Sequence, residues 1–334
     1  MIRTAFFDTD EKEKLFFQKA LPNKCELVLF DRPVSQVDIT LVEKCEILSG
    51  FVYSKFSKEI LEKLPKVKLI VTQSTGFDHI DIKYCKKKGI TVCNVPEYGS
   101  NTVAEHTFAL ILTLMKRIIE STMRVKMGSF DPTGLTGFDL KGKTLGVIGT
   151  GKIGVNVIKI AKGFGMNAIA FDPFPKKDLE KYLGFAYKSL NEVLAESDIV
   201  TLHCPSCEET KHIINDKNIN LMKDGTYLIN TARGGLIETQ ALFNALKSGK
   251  IAGAGLDVLE EESFLAEERE LLTKGTTERH NLLTLAQNHV LVNLPNVIVT
   301  PHNAFNSKEA LQRILDTTVL NIESFIEGNP INTV

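Results

Sequence analysis

The chain has 334 residues, of which 43% are hydrophobic and 24% are charged, and its formal net charge at pH 7 is −1. This length allows two domains with substantial cores, and the composition is that of an ordinary globular protein. The balanced charge excludes a general basic field that would attract nucleic acid or a membrane surface. Asp8 interrupts the apolar run that a signal peptide needs, and no apolar run has membrane-spanning length, so we expect a cytoplasmic protein.

Short apolar segments alternate with helical patterns over the first hundred residues. This alternation predicts a parallel sheet with helices on its faces, without a dinucleotide fingerprint of its own. A long helical pattern follows and is apolar around most of its circumference, so we expect one helix that is buried between domains or subunits. The predicted strands are 3–7, 26–30, 47–52, 67–72 and 90–93, and the predicted helices are 11–20, 58–64 and 101–123.

A glycine-rich stretch in the middle of the chain has the pattern of a dinucleotide-binding turn. Gly149, Gly151 and Gly154 follow a predicted strand at residues 144–148 and open a predicted helix. These glycines suit a tight turn, a close approach of backbone to pyrophosphate, and close packing of helix on strand. Asp172 ends the next strand, where a carboxylate can bind both ribose hydroxyls and repel a 2′-phosphate. The stretch therefore predicts NAD as the cofactor.

Two other motifs are rejected because their context is wrong. Residues 137–144 have the letters of a nucleotide P-loop, but they precede a strand and open no helix. Cys204 and Cys207 have the spacing of a redox pair, yet they follow a predicted strand and more simply form a strand-to-loop corner. The six scattered cysteines indicate free thiols. The histidines without zinc-ligand spacing, from which we predict no metal, are His79, His106, His203, His212 and His280.

The rest of the chain continues the alternation of strands and helices, which predicts a second doubly wound sheet. An irregular, charged connection at 259–295 interrupts it, with an acidic run at 267–270 and one helix near 283–291. The remaining predicted strands are 168–171, 199–202, 226–230, 252–256 and 297–300, and the remaining helices include 239–248 and 307–326.

Residues suited to hydride chemistry on a 2-oxo acid follow three of these strands. Arg233 can hold a planar carboxylate through two parallel hydrogen bonds. His302 can donate a proton to a ketone oxygen as hydride reaches the carbon. A carboxylate beside the imidazole would stabilise its charged form, and spacing alone does not choose between Glu260, Glu261 and Glu262.

Motifs along nearly the whole chain match one known family. They are residues 74–81, 95–106, the glycine fingerprint, 230–235, 255–258 with Glu262, and 300–305. At these motifs the chain resembles the D-isomer-specific 2-hydroxyacid dehydrogenase family, and most closely the branch that contains D-lactate dehydrogenases. In that family the arginine of the Ala-Arg-Gly motif holds the substrate carboxylate. The acid five residues after the aspartate of the Leu-Asp-Val motif pairs with the catalytic histidine, which implies Glu262.

The resemblance also implies the architecture and the ligand contacts. Two doubly wound α/β domains are expected: a Rossmann NAD domain at 101–302, inserted in a flavodoxin-like substrate domain made of 1–100 and 303–334. The cleft between them closes on substrate, and the protein is a homodimer through the NAD domain. The implied substrate contacts are the backbone amides of Thr75 and Gly76, the hydroxyl of Tyr98, and Arg233. The implied cofactor contacts are Gly149, Gly151, Lys152, Ile153, Gly154, Asp172, Cys204, Pro205, Thr231, Ala232 and Asp257.

We therefore predict NAD-dependent reduction of a 2-oxo acid to a D-2-hydroxy acid, with pyruvate to D-lactate as the best single assignment. Asn306 stands where many D-lactate enzymes carry an aromatic residue, so the substrate side chain stays open. The alternatives are reduction of glyoxylate, hydroxypyruvate or a larger aliphatic 2-oxo acid, an NAD-sensing protein without turnover, and a methyltransferase.

Overall fold

The computed structural model describes residues 1–22, 24–260, 262 and 282–334. The predictions for Glu261, for the acidic run at 267–270 and for His280 lie outside the described residues. The chain divides into two compact units, which are Met1–Tyr98 with Asn306–Val334, and Gly99–Phe305. We call them unit 1 and unit 2.

Twelve strands and eleven α-helices are labelled here in chain order within the described residues. The strands are β1 (Ile2–Phe6), β2 (Cys25–Leu29), β3 (Ile47–Gly50), β4 (Leu69–Thr72), β5 (Thr91–Cys93), β6 (Thr144–Ile148), β7 (Asn167–Phe171), β8 (Ala186–Tyr187), β9 (Ile199–Leu202), β10 (Thr226–Asn230), β11 (Ile251–Leu256) and β12 (Val297–Val299). The helices are α1 (Glu11–Ala20), α2 (Lys58–Leu61), α3 (Ile82–Lys88), α4 (Ser100–Met115), α5 (Ile118–Lys126), α6 (Lys152–Gly163), α7 (Lys177–Leu183), α8 (Leu190–Glu196), α9 (Thr239–Ser248), α10 (Leu282–Val292) and α11 (Lys308–Ile326).

Unit 1 is a five-stranded parallel sheet in the order β2-β1-β3-β4-β5, which is the flavodoxin-like order. Successive side chains of a strand point to opposite faces, and Ile47 and Leu48 accordingly lie in two different hydrophobic clusters. Ile322 of α11 joins the cluster of Ile47, so the C-terminal helix covers one face of this sheet. The prediction that unit 1 is a doubly wound parallel-sheet domain is confirmed.

The C-terminal segment completes unit 1. Thr333 forms an antiparallel bridge with Cys93 of β5. On either side of that bridge, the amide of Asn94 donates to the carbonyl of Asn332 (3.0 Å), and the amide of Val334 donates to that of Val92 (3.1 Å). The edge of the sheet is therefore covered by the last residues of the sequence.

Unit 2 is a seven-stranded parallel sheet in the order β12-β11-β10-β9-β6-β7-β8. The chain runs outward from β6 to β7 and β8, then returns to the other side of β6 with β9. The direction of winding therefore reverses between β6 and β9, where open α/β sheets bind ligands beyond their carboxyl ends. This confirms the second doubly wound domain.

The prediction of a single helix over residues 101–123 is wrong. Helix α4 ends at Met115, and α5 begins at Ile118 after Arg117, which has a left-handed backbone (φ 51°). The amide of Phe138 donates to the carbonyl of Met115 (3.2 Å), so a returning segment occupies the end of α4. The apolar face of α4 packs within unit 2 against α6 and the sheet, with Phe108 and Ile111 buried.

The structure also bears on the rejected motifs and on the last helix. Residues 137–144 lead into β6 and open no helix, which confirms the rejection of the P-loop. All six cysteines are free thiols, and Cys204 follows β9 at a strand-to-loop corner. The last helix begins at Lys308, with the hydroxyl of Ser307 capping the amide of Ala310.

No helix among the described residues combines the length and the apolar character needed to cross a membrane.

Candidate active site

Two glycines of the fingerprint are required by contacts within the protein. Gly149 has φ 95°, and a Cβ there would lie 2.7 Å from the carbonyl of His203. A Cβ on Gly154 would lie 2.0 Å from the carbonyl oxygen of Gly149. The turn after β6 is thus pressed against both the end of β9 and the first turn of α6, which leaves no space for a side chain at either position.

Gly151 has a different surrounding. It is the N-cap of α6, and among the described residues nothing lies within 4 Å of a Cβ placed on it. No contact within the described chain requires glycine there, whereas a pyrophosphate at the N-terminus of α6 would need this space. Lys152 and Ile153 form the first turn of α6 beside it. The turn fits a dinucleotide.

Asp172, at the end of β7, is held by the glycine turn. Its Oδ2 accepts from the amide (2.7 Å) and the hydroxyl (2.8 Å) of Thr150, and its Oδ1 accepts from the amide of Phe174 (2.9 Å). The Tyr187 hydroxyl lies 2.9 Å from that of Thr150. Burial raises the pKa of Asp172, but the hydrogen bonds from Thr150 and Phe174 outweigh it, and the pKa lies below its ordinary value.

The other side of the reversal point is formed by the residues after β9. A Cβ on Gly149 would lie 2.8 Å from the amide nitrogen of Cys204, which places Cys204 and the following Pro205 at the glycine turn. The imidazole of His203 turns inward to Thr201 (Nε2–Oγ1, 2.9 Å). Burial lowers the pKa of His203 to about 3, so this ring is neutral.

The loop after β10 carries Arg233. The hydroxyl of Thr231 lies 2.9 Å from that of Thr107 on α4, and the amide of Ala232 donates to Asn230 (3.0 Å). A Cβ on Gly234 would lie 2.0 Å from the carbonyl oxygen of Leu259. The arginine loop therefore packs directly on the segment that follows β11.

His302 lies beyond the end of β12 and is paired with a carboxylate. Its Nδ1–H donates to Oε1 of Glu262 (2.5 Å), and both side chains are partly exposed. This pairing leaves Nε2 as the nitrogen that can exchange a proton with a ligand. Because β10, β11 and β12 are neighbours with Asn230, Leu256 and Val299 in register, their ends place Arg233, Asp257 and His302 along one edge of the sheet.

The backbone of His302 has φ 51°, a left-handed conformation that costs roughly 1–2 kcal/mol in a residue with a side chain. Asp257, which is 1% exposed, holds it there. The carbonyl of Asp257 accepts from the amide of His302 (2.9 Å), and its carboxylate accepts from the amides of Asn303 (3.0 Å) and Ala304 (2.9 Å) and from the Thr300 hydroxyl (2.5 Å). The carboxylate is therefore occupied by the loop that carries the imidazole.

The structure separates two of the candidate glutamates. Glu262 contacts His302, whereas Oε1 of Glu260 lies 2.7 Å from Nε2 of His212 and its Oε2 accepts from the Thr239 hydroxyl (2.8 Å). Of the two, only Glu262 is placed to act on the imidazole at the sheet edge.

Comparison with known proteins decides the family. Residues 108–304 match the model of the D-isomer specific 2-hydroxyacid dehydrogenase, NAD binding domain. This chain belongs to that family. A crystal structure of D-lactate dehydrogenase from Aquifex aeolicus complexed with NAD and lactic acid has a TM-score of 0.88 and 42% identity, covering 98% of this chain and 99% of that one. The D-lactate dehydrogenase of Escherichia coli is 37% identical over 98% of both chains. An aromatic 2-oxoacid reductase of Clostridium sporogenes is 40% identical over 80% of this chain and 79% of its own.

The protein is thus an NAD-dependent D-2-hydroxyacid dehydrogenase. In unit 1 of this dehydrogenase, Thr75 and Gly76 follow β4. The hydroxyl of Thr75 donates to the carbonyl of Val95, and the amide side chain of Asn94 donates to the carbonyl of Thr75, each at 2.8 Å. Within the described chain neither backbone amide of this pair donates a hydrogen bond, so both remain available to an anion. The carbonyl of Tyr98 accepts from Arg313 (2.7 Å).

Some residues of the dehydrogenase site had no assigned role in the sequence. His106 on α4 contacts Thr300 and Asp257, and Tyr187 contacts Thr150. His106 lies in one of the motifs that resemble the family, and the sequence indicated only a place on a helix and no zinc-ligand spacing for it. The described residues contain no group of three or more His, Cys, Asp or Glu side chains that could hold a metal ion.

Proposed function

We propose that this dehydrogenase reduces pyruvate to D-lactate with NADH. The observation that carries the proposal is the hydrogen bond between His302 and Glu262 at the sheet edge that also bears Arg233. A guanidinium for the carboxylate and an imidazole for the ketone oxygen are the two protein groups that this reaction needs.

Each residue has a defined part in the reaction. Arg233 binds the carboxylate of the 2-oxo acid through two parallel hydrogen bonds. His302 donates a proton from Nε2 to the ketone oxygen and must be protonated first. Glu262 accepts the Nδ1–H of the ring, fixes its orientation and stabilises its charged form. NADH supplies the hydride that reaches the keto carbon.

Replacement of Arg233 or of His302 separates substrate binding from the chemical step. Arg233→Ala removes charged hydrogen bonds to the carboxylate and raises the KM for pyruvate by about 10- to 100-fold. His302→Ala removes the proton donor and lowers kcat by about 100- to 10,000-fold. Steady-state rates of NADH oxidation measure both. Full kcat in His302→Ala would refute the assignment of the proton donor.

The side chain of the substrate is the finer question. Asn306 is exposed and polar at a position where D-lactate enzymes often carry an aromatic residue, which supports a larger or more polar 2-oxo acid as the second candidate. A panel of pyruvate, glyoxylate, hydroxypyruvate, 2-oxoisocaproate and phenylpyruvate, compared by kcat/KM, tests this. The highest kcat/KM on pyruvate, with a product oxidised only by a D-specific enzyme, supports D-lactate formation. A higher value on another acid replaces pyruvate as the substrate.

We further propose that the protein is a homodimer through unit 2. Helix α5 and the segment after it expose Ile118, Ile119, Met123, Met127 and Phe130, each about half exposed or more. Contiguous apolar side chains of this kind on a monomer mark an interaction surface. A second copy of the chain is the partner that the family resemblance implies.

A further inference from the structure

We propose that His106 is a positioning residue for the reaction. It holds the catalytic loop, which is the segment 300–304 that carries His302, through contacts with Thr300 and Asp257. The proposal rests on the role assigned to His302 above. It concerns a side chain on α4 that reaches the loop after β12 from a distant part of the sequence.

The direction of the hydrogen bonds follows from counting protons. A threonine hydroxyl has one proton, and that of Thr300 is donated to Oδ1 of Asp257 at 2.5 Å. Nε2 of His106 lies 3.1 Å from the same hydroxyl oxygen, so His106 must be the donor in this contact. Nε2 also lies 3.5 Å from Oδ1 of Asp257. His106 therefore carries its proton on Nε2 and is the first donor in a series of hydrogen bonds from His106 to Thr300 and from Thr300 to Asp257.

This series of hydrogen bonds ends at the Asp257 carboxylate, which binds backbone amides of the catalytic loop. The carboxylate of Asp257 has about four acceptor positions, and three accept from Thr300, Asn303 and Ala304. His302, in its left-handed conformation, lies between Thr300 and Asn303 within this set of contacts. A carboxylate that lost one contact would hold the loop less firmly, and a displacement of about 1 Å in a catalytic group can lower a rate by about 100-fold.

Helix α4 is a firm support for this contact. It packs on α6 and on three strands of unit 2, and His106 is flanked by buried residues such as Val103 and Ile111. The side chain of His106 is 22% exposed, so it lies at the boundary of the packed helix and the ligand-binding edge. His106 therefore connects a packed helix to the loop that bears the His302 imidazole and restricts the movement of that loop.

The test is a double-mutant cycle on the folded enzyme. His106→Leu and Thr300→Val each remove one contact of this series, and each should lower kcat by about 10- to 100-fold, with the dissociation constant of NADH, followed by fluorescence, unchanged within about twofold. Because both variants interrupt one series of hydrogen bonds, the double variant should be no slower than the slower single variant. His106→Gln, whose side-chain amide N–H reaches about as far as Nε2 of histidine, should recover part of the lost kcat.

Controls separate positioning from other roles. Glu105→Gln changes the exposed neighbour on α4 and should leave kcat unchanged. Thr300→Val provides the test should His106→Leu fail to fold. Unchanged kcat in a folded single variant, or multiplicative losses in the double variant, would overturn the proposal. A parallel loss of NADH affinity would make His106 a cofactor residue instead. The separate behaviour of His302→Ala shows whether the underlying assignment holds.

Discussion

Two glutamates two positions apart serve two different histidines in this dehydrogenase. Glu262 accepts from His302 at the sheet edge, and Glu260 contacts His212 and the N-terminus of α9. The residue types are the same, and the two carboxylates differ in the partners that they contact. Both pairs are partly exposed. The first lies at the sheet edge that bears Arg233, while the second links the segments of unit 2 that contain His212, Glu260 and Thr239.

The two pairs form a matched comparison. Glu262→Gln removes the charge that stabilises the imidazolium, so we expect kcat for pyruvate reduction to fall by about 10- to 100-fold with little change in melting temperature. Glu260→Gln should instead lower the melting temperature and leave kcat within about threefold. The assignment is contradicted if Glu260→Gln has the larger effect on kcat.

His203 makes stability depend on pH. Its pKa lies near 3 in the folded protein, against an ordinary value of 6.5, because the ring is buried. As the pH falls below 6.5 the unfolded chain binds a proton that the folded chain does not, so stability falls with decreasing pH at up to about 1.4 kcal/mol per unit.

His203→Gln removes this titration and should flatten the decline between pH 6.5 and pH 4.5. Urea unfolding at pH 7, 6 and 5 measures the slope. The parent protein, unfolded in parallel at the same three pH values, is the control. An equal slope in His203→Gln and the parent would show that another group causes the acid sensitivity.

At the residue scale, sequence reasoning found the groups that follow strand ends, because strand ends can be read from short apolar runs. It selected Glu262 only through the resemblance, since periodicity does not distinguish neighbouring glutamates. It gave no role to His106 or Tyr187, whose partners are 194 and 37 residues away. Such pairs depend on how helices and strands pack, which local pattern does not encode.

Among the elements, the turn between β6 and α6 contains one glycine that the fold requires, Gly154, and one that we expect only the cofactor to require, Gly151. Gly154→Ala places a Cβ against the carbonyl of Gly149 and should destabilise the protein by about 1–3 kcal/mol or more. Gly151→Ala meets no described atom, so its stability should be unchanged while NADH binds about tenfold more weakly or worse. Thermal unfolding and NADH fluorescence measure the two effects. NADH binding at full strength in Gly151→Ala would place the pyrophosphate elsewhere.

The elements themselves were largely predictable. Strands β6, β9 and β10 begin and end where their apolar runs do, because buried parallel strands consist of such runs. The break between α4 and α5 was not predictable, because Lys116 and Arg117 carry no turn signal. A contact from Phe138, made only in the folded unit, coincides with that break.

For the whole molecule, the exposed apolar side chains of α5 are the surface through which we expect two copies of the protein to form a dimer. Met123→Lys places a charge in this apolar surface and should convert a dimer into a monomer, measured by light scattering after size-exclusion chromatography. Leu15→Lys adds the same charge at a similarly exposed apolar residue of α1 and should leave the mass unchanged. A monomeric parent protein, or a dimer that survives Met123→Lys, would refute the proposed interface.

The division of the chain into a continuous unit and a discontinuous one has a consequence for biosynthesis. Unit 2 is complete once Phe305 has left the ribosome, whereas unit 1 waits for Asn332–Val334 to cover the edge at β5. The nascent chain therefore exposes an unfinished sheet edge while roughly 240 residues are added after β5, at about 5–20 residues per second. Unit 1 begins first and finishes last, and for some tens of seconds its unprotected edge is where chaperones would bind during translation.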